Sequence, residues 1–341
     1  MQVTFDFVAY GEKFEPQPDT VVLDVGMRTV PGVIDHHHAD AEAECTASLI
    51  AKYPELVLNH VKSPENLRLI THRLPDFDAL SSIFLTLKLL EIGRVDPAMQ
   101  TIASYAKMVD SASLPKNIDL AATPYSILRA LFSGAKKEEG EINRERTAEG
   151  NKLMRFLYAR AQEGYDIEEN RLLFSGVERY EGAMRKIEAD YFHYLDDVSR
   201  SQSLILDLPL SQKKGKRSVD GLIVRNPSSF LLREWARRDI NQPSFKEGFS
   251  FLLTNFGNQR YILGVDPDIG VYLKGLGALL NREESRRRTA SGRSFLLPWY
   301  DGNCPFFNFR IIDSPQDGTL LSQQEIVDLL QEFSRGLGQG N

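Results

Sequence analysis

At 341 residues, with 42% hydrophobic and 26% charged side chains, the chain has the make-up of a soluble globular protein long enough for two cores. A net charge of −6 argues against wholesale wrapping of a polyanion, and no apolar run approaches the roughly 20 residues that span a bilayer. Two cysteines, Cys45 and Cys304, are too few for a disulfide framework, and no N-terminal stretch joins a basic region to an apolar core, so a reducing, cytoplasmic setting is predicted.

Residues 2–10 alternate in polarity and predict a first strand. Pro16 and Pro18 interrupt it before a short apolar run, Val21-Val22-Leu23, that ends in Asp24. Gly26 and Pro31-Gly32 mark loops, and a second run, Val33-Ile34, leads straight into Asp35-His36-His37-His38. Residues 42–53 read as a helix. A third apolar run from Leu67 then ends in His72-Arg73-Leu74-Pro75-Asp76-Phe77-Asp78, with helices predicted over 79–92 and 97–109. Strand, loop, helix, strand is the rhythm of a buried parallel sheet, and ligands bind outside the carboxyl ends of such strands.

From 136 to 200 the pattern changes: charge is dense, proline is absent and apolar residues recur at helical spacing. One or two long helices are expected there, linking a first domain (1–135) to a second (201–341). Strands are predicted in the second domain over 203–208, 219–225, 249–255, 260–265, 292–297 and 307–312. A helix is expected after Asn226-Pro227-Ser228-Ser229, whose serines suit N-caps, and another over 322–335. The fold class expected is therefore α/β: a parallel-sheet metal domain, a helical linker and a smaller mixed α/β C-terminal domain. Residues 1–135 carry 17 acids against 11 bases, whereas 201–341 carry 15 acids against 18 bases. An acidic half that holds cations and a basic half that holds an anion suit a phosphate ester; a solvated surface is the plainer alternative.

The three strand ends would deliver four carboxylates (Asp24, Asp35, Asp76, Asp78) and three imidazoles (His36, His37, His72) to one rim. That composition suits a two-metal hydrolase site. Mixed imidazole and carboxylate donors favour manganese, iron or zinc over calcium. The plainer reading of the last stretch is a turn with Asp76 as a helix N-cap, which leaves His72, Asp24 and Asp35-His36-His37 unexplained.

Asp35-His36-His37 together with His72-Arg73-Leu74-Pro75-Asp76-Phe77-Asp78-Ala79-Leu80-Ser81-Ser82 resembles the DHH phosphoesterase superfamily. That family includes manganese-dependent pyrophosphatases, single-strand exonucleases, oligoribonucleases that also dephosphorylate pAp, and cyclic dinucleotide phosphodiesterases. The resemblance covers residues 20–110 and implies a fourth motif at Asp110. It also implies two divalent ions, manganese first with magnesium or another divalent ion as alternative. One would be held by His72, Asp76 and Asp24, the other by Asp78, Asp24, His36 and Asp110. His37 would face the substrate, and Asp35 would orient its neighbouring imidazole. The family usually places the H-x3-D-x-D loop before the DHH triplet; here the order is reversed, as a circularly permuted sheet would make it.

Many family members carry a G-G-G-H substrate loop in the second domain. The nearest stretch here, Trp299 to Pro305 around Gly302, lacks the histidine. Arg288 and Arg293 precede it and are candidate phosphate grips, with an exposed basic helix end as the alternative. Phe306, Phe307 and Phe309 would stack a base, or fill a core strand. The expected partner is a small phosphorylated substrate or short single-stranded nucleic acid, with a homodimer allowed and no membrane. The expected function is a phosphodiesterase or phosphatase acting on short oligonucleotides, pAp or a cyclic dinucleotide. The alternatives are an inorganic pyrophosphatase or exopolyphosphatase, and a non-catalytic nucleotide-binding protein.

Overall fold

A computed structural model describes residues 2–134, 139–294 and 298–336. The chain is mixed α/β and divides into two compact units, with the boundary after Glu188; Cys304–Phe306 returns to the first unit. No helix among the described residues is long and apolar enough to cross a membrane.

The first unit is built on strands β1 (Gln2–Val8), β2 (Thr20–Leu23), β3 (Thr29–Val30), β4 (Val33–Ile34) and β5 (Asn66–His72), in the order β1-β5-β2-β4-β3. Four of these run parallel, and only the two-residue β3 pairs antiparallel, as an edge hairpin with β4. Every residue of β2 and β4 is buried, which is why both read as unbroken apolar runs. Leu23 pairs with Ile34 on one side and Thr71 on the other, so the carboxyl ends of β2, β4 and β5 finish level.

Helices α1 (Thr46–Lys52), α2 (Glu55–Leu58), α3 (Phe77–Ile92), α4 (Pro97–Asp110) and α5 (Pro124–Phe132) follow. Asp76 caps α3 by accepting from the Ala79 N–H, and Asp96 caps α4 ahead of Pro97 at its first turn. Helix α3 is buried from Phe77 through Thr86 because it packs against α1, α4 and the long α6 (Glu139–Gln162). At the α3–α6 crossing a side chain on Gly150 would meet Leu80 Cδ1 at 2.6 Å, so only glycine lets the helices approach this closely.

The stretch expected as a linker thus divides differently. Helix α6 packs on α3 and α4 as part of the first unit's core, burying Leu153, Met154 and Leu157. The short α7 (Arg171–Phe174) follows, and the unit boundary falls within α8 (Glu178–Ser199). Dense charge marked the outer faces of these helices, while their apolar spacing served the core.

The second unit holds β6 (Gln202–Pro209), β7 (Lys216–Arg225), α9 (Leu232–Arg238), β8 (Phe251–Asn255), β9 (Tyr261–Val265), α10 (Leu276–Ala290), β10 (Ile311–Asp313) and α11 (Gln323–Arg335). Its sheet runs β10-β9-β8-β7-β6, and only β7–β8 is parallel, joined through α9. Phe251, Leu253, Leu263, Trp299, Ile312 and Leu330 lie in its core. A Ser322–Glu325 capping box starts α11.

Three expectations fail here. The 307–312 strand begins only at Ile311, because Asn308 and Phe309 adopt left-handed backbone (φ 47° and 57°) that no strand accommodates. Residues 292–294 form no strand, and 295–297 lie outside the described residues. Ser228 and Ser229 do not cap α9, whose N-cap is Leu231. Their N–H groups donate to Asp197, and their hydroxyls donate to Asp197 and Asp190 respectively.

Candidate metal centre

The level strand ends gather the acidic and imidazole side chains at one rim of the first unit. Asp24 leaves β2 in left-handed backbone (φ 60°), a conformation asparagine and aspartate tolerate better than other non-glycine residues. Asp35, His36 and His37 follow β4, His72 closes β5, Asp76 and Asp78 open α3, and Asp110 ends α4. Asp24, Asp35, His36, His72 and Asp78 are buried, whereas the Asp76 side chain is half exposed.

Asp24 stands at the centre. Its Oδ1 lies 3.2 Å from His36 Nε2, and its Oδ2 lies 3.3 Å from His72 Nε2. The two carboxylate oxygens therefore face two different imidazoles. His72 Nε2 is also 3.8 Å from Asp76 Oδ1; His36 Nε2 is 3.4 Å from Asp110 Oδ2 and 3.9 Å from Asp78 Oδ2. Three overlapping groups have donor atoms within 4.8 Å of one another: Asp24/His72/Asp76, His36/Asp78/Asp110 and Asp24/His36/His37. Asp24, Asp35 and Asp78 make no ion pair with lysine or arginine among the described residues. Buried carboxylates packed among imidazoles, without a lysine or arginine to balance them among the described residues, are a donor set that fits divalent cations.

The surroundings fix these groups. Asp78 accepts the N–H groups of Thr46 (2.8 Å) and Ala47 (2.9 Å) at the start of α1, and Thr46 Oγ1 donates to Asp24 Oδ1 at 3.1 Å. Asp35 accepts from Met27 N–H at 2.6 Å and, through Oδ1, meets His37 Nδ1 at 2.7 Å. It therefore orients His37, as a carboxylate behind an imidazole does. His72 Nδ1 donates to the Arg73 carbonyl at 2.9 Å, which turns Nε2 toward Asp24.

Burial works to raise the Asp24 carboxyl, but the close imidazoles of His36 and His72 and the charge on His37 outweigh it and hold the group well below the usual range. Asp78 is pushed up to about 8 by burial and the neighbouring Asp24 charge. Burial opposes the charged forms of His37 and His72, yet Asp35 raises His37 to about 9, and Asp24 with Asp76 raises His72 to about 10. His36 is lowered by burial and by His37. Burial and the nearby Asp78 and Asp110 charges push the Cys45 thiol well up, away from thiolate.

Residues without a motif also build the site. Tyr10, just beyond β1, stacks on His72 with ring centroids 4.1 Å apart and places its hydroxyl 3.0 Å from Nε2. On α6, Asn143 accepts the Leu74 N–H at 2.7 Å, and Arg146 donates to the Leu74 carbonyl at 3.3 Å. Leu74 lies midway between His72 and Asp76 with φ 55°, so this clamp holds a strained turn in the His72–Asp76 loop. A lone tyrosine and a polar pair inside a charged helix left no pattern in the sequence.

The predicted substrate residues Arg288, Arg293 and Gly302 lie in the second unit, and two of them, Arg288 and Gly302, serve structural roles. Arg288 is buried, paired with Glu284 (2.7 Å) and with Asp317 through both of its terminal nitrogens, and it donates to the Gly318 carbonyl. It is not an exposed phosphate grip. Arg293 is exposed in the turn after α10. Gly302 has φ 61°, and a side chain there would meet the Ile311 carbonyl oxygen at 2.7 Å, so the turn itself demands glycine. Phe306 is buried and meets the His36 ring edge-on at 4.8 Å, while Phe309 lies under Lys274. His38 is held by Thr29, and His60 bonds the Gln17 and Thr20 carbonyls.

A scan of protein-family models finds no match to the chain, and a search of curated proteins finds none either. The functional reading therefore stands on the site.

Proposed function

We propose that the protein is a metal-dependent phosphoesterase of the DHH type, acting on a small phosphorylated substrate such as a short oligonucleotide, pAp or a cyclic dinucleotide. The observation that carries this reading is Asp24, whose two oxygens face His72 and His36 at 3.3 and 3.2 Å. A carboxylate so placed is suited to bridge two cations. In this reading His72, Asp76 and Asp24 would hold one ion, and His36, Asp78 and Asp110, with the second oxygen of Asp24 beside them, would hold the other. Two divalent ions bound there, manganese first, would supply a water of lowered pKa and charge stabilisation for a phosphoryl group.

The remaining groups serve the substrate. Asp35 fixes His37 Nδ1 and favours its charged form, which is raised to about 9. Nε2 of His37 is the nitrogen we assign to the substrate, donating to a phosphate oxygen or to the leaving group. The site lies beyond the carboxyl ends of β2, β4 and β5, where open α/β sheets bind ligands.

The test is product release by the purified protein with manganese from pyrophosphate, pAp, the dinucleotide pApA and cyclic di-AMP. Turnover of the nucleotides is expected, falling to background with chelator and in Asp24→Ala, which should also lose bound manganese. Normal turnover and metal content in Asp24→Ala would end the two-metal reading. Turnover of pyrophosphate alone would replace the nucleotide substrate with the anhydride. Silence on all four despite two bound ions would favour a non-catalytic binder.

A further inference from the structure

Helix α6 sends one cationic side chain to the loop that joins His72 to Asp76. Arg146 is half-buried there: Nη1 donates to the Leu74 carbonyl at 3.3 Å, and the guanidinium carbon lies 5.0 Å from the centre of the Phe132 ring. Neither partner carries a charge. Among the described residues no carboxylate comes within ion-pair reach of Arg146. Burial, and then the Arg129 guanidinium on the packed helix α5, pull Arg146 below its ordinary range, and the opposing Asp76 charge does not offset them. Asp76 is thus near enough to act on Arg146 without pairing with it; its own close contact is His72, at 3.8 Å. A half-buried cation with a like charge beside it and no counter-ion in contact is under-compensated.

We infer that Arg146 is a substrate-binding residue, its guanidinium donating to an oxygen of a phosphoryl group held at the His72/Asp24/Asp76 position. The inference rests on the metal reading of that position. With a cation on His72 and Asp76, an anionic oxygen on the Arg146 side lies between two positive groups and is attracted to both. A guanidinium has five N–H donors in a planar fork, and here one is spent, on a long bond to a neutral carbonyl. The Phe132 face beneath it limits how far the group can swing.

The loop does not depend on Arg146 alone for its shape. Asn143, one turn earlier on α6, already accepts the Leu74 N–H at 2.7 Å. The guanidinium therefore brings to this loop a charge that the clamp does not require. The chemical class recognised is a phosphoryl group with at least two free oxygens, one for the cations and one for the guanidinium. Hydrogen bonds between ionised partners are the strong ones, which makes Arg146 a determinant of affinity for such a group.

The experiment compares Arg146→Gln with the wild-type protein by calorimetry, first for manganese stoichiometry and then for inorganic phosphate affinity at saturating manganese. Glutamine removes the charge and keeps a good helix former. The expected result is two ions in both proteins and phosphate binding weakened about tenfold or more in Arg146→Gln. Should that variant not fold, Arg146→Met, which keeps an apolar stem over Phe132, takes its place in the same titrations. Wild-type phosphate affinity in the neutral variant would overturn the inference. Weaker manganese binding with unchanged phosphate affinity at saturation would also overturn it, by making Arg146 a positioning residue for the His72–Asp76 loop. Wild-type protein that binds two ions but no phosphate would refute it while leaving the metal reading intact. If the wild-type protein takes up no manganese, the metal reading fails first and the Arg146 inference falls with it.

Discussion

Loading the metal-free protein with two divalent ions at pH 7 is expected to release close to two protons. His72 is raised to about 10 because the neighbouring Asp24 and Asp76 carboxylates outweigh burial, so without metal it is charged. To become a ligand it must lose the Nε2 proton. Asp78 is raised to about 8 by burial and the Asp24 charge, so its protonated form predominates at pH 7. Asp24 is held well below the usual range and is already ionised, and His36 is lowered and already neutral. His37, raised to about 9, keeps its proton because Asp35 rather than a cation holds its Nδ1. The sum is roughly two protons, and the joint affinity should climb about 100-fold per pH unit below pH 8. Manganese titrations in buffers of different ionisation enthalpy measure the count as a slope. A count below one with both ions bound would refute the reasoning.

Asn143→Ala is expected to cost about 1 kcal/mol in chemical denaturation by stranding the Leu74 N–H, and to weaken manganese binding at the His72/Asp76 position several-fold. Unchanged affinity would mean that the loop holds its shape without the clamp. Arg288→Leu is expected to leave KM unaltered while costing about 3–5 kcal/mol, since it abandons the buried Glu284 and its Asp317 partner. A raised KM at full stability would restore a substrate role to Arg288.

The gathering of carboxylates and imidazoles at one rim was legible because they directly follow short apolar strands, and strand ends in a parallel sheet share an edge. Asp24, with no motif around it, was readable for that reason alone. Helix α6 was harder to read. Its charged residues face outward and suggested a connector, although Gly150 and Leu153 serve its packing against α3. Tyr10 and Asn143 act through approaches that span 62 and 69 residues of chain, which no local spacing encodes. Arg288 misled for the opposite reason. Three consecutive arginines look like one basic patch, yet helical geometry points Arg288 inward onto Glu284 and Asp317 and leaves Arg286 exposed.

The grip of α1 on Asp78 has an evolutionary corollary. Both donors are main-chain N–H groups, so the identities of residues 46 and 47 hardly matter to that contact, and only proline would delete a donor. Asp24 leans instead on the Thr46 hydroxyl, which a single codon change removes. Two neighbouring carboxylates in one cluster therefore carry unequal exposure to genetic drift. An alanine scan of α1 would register the support for Asp24 and pass silently over the support for Asp78.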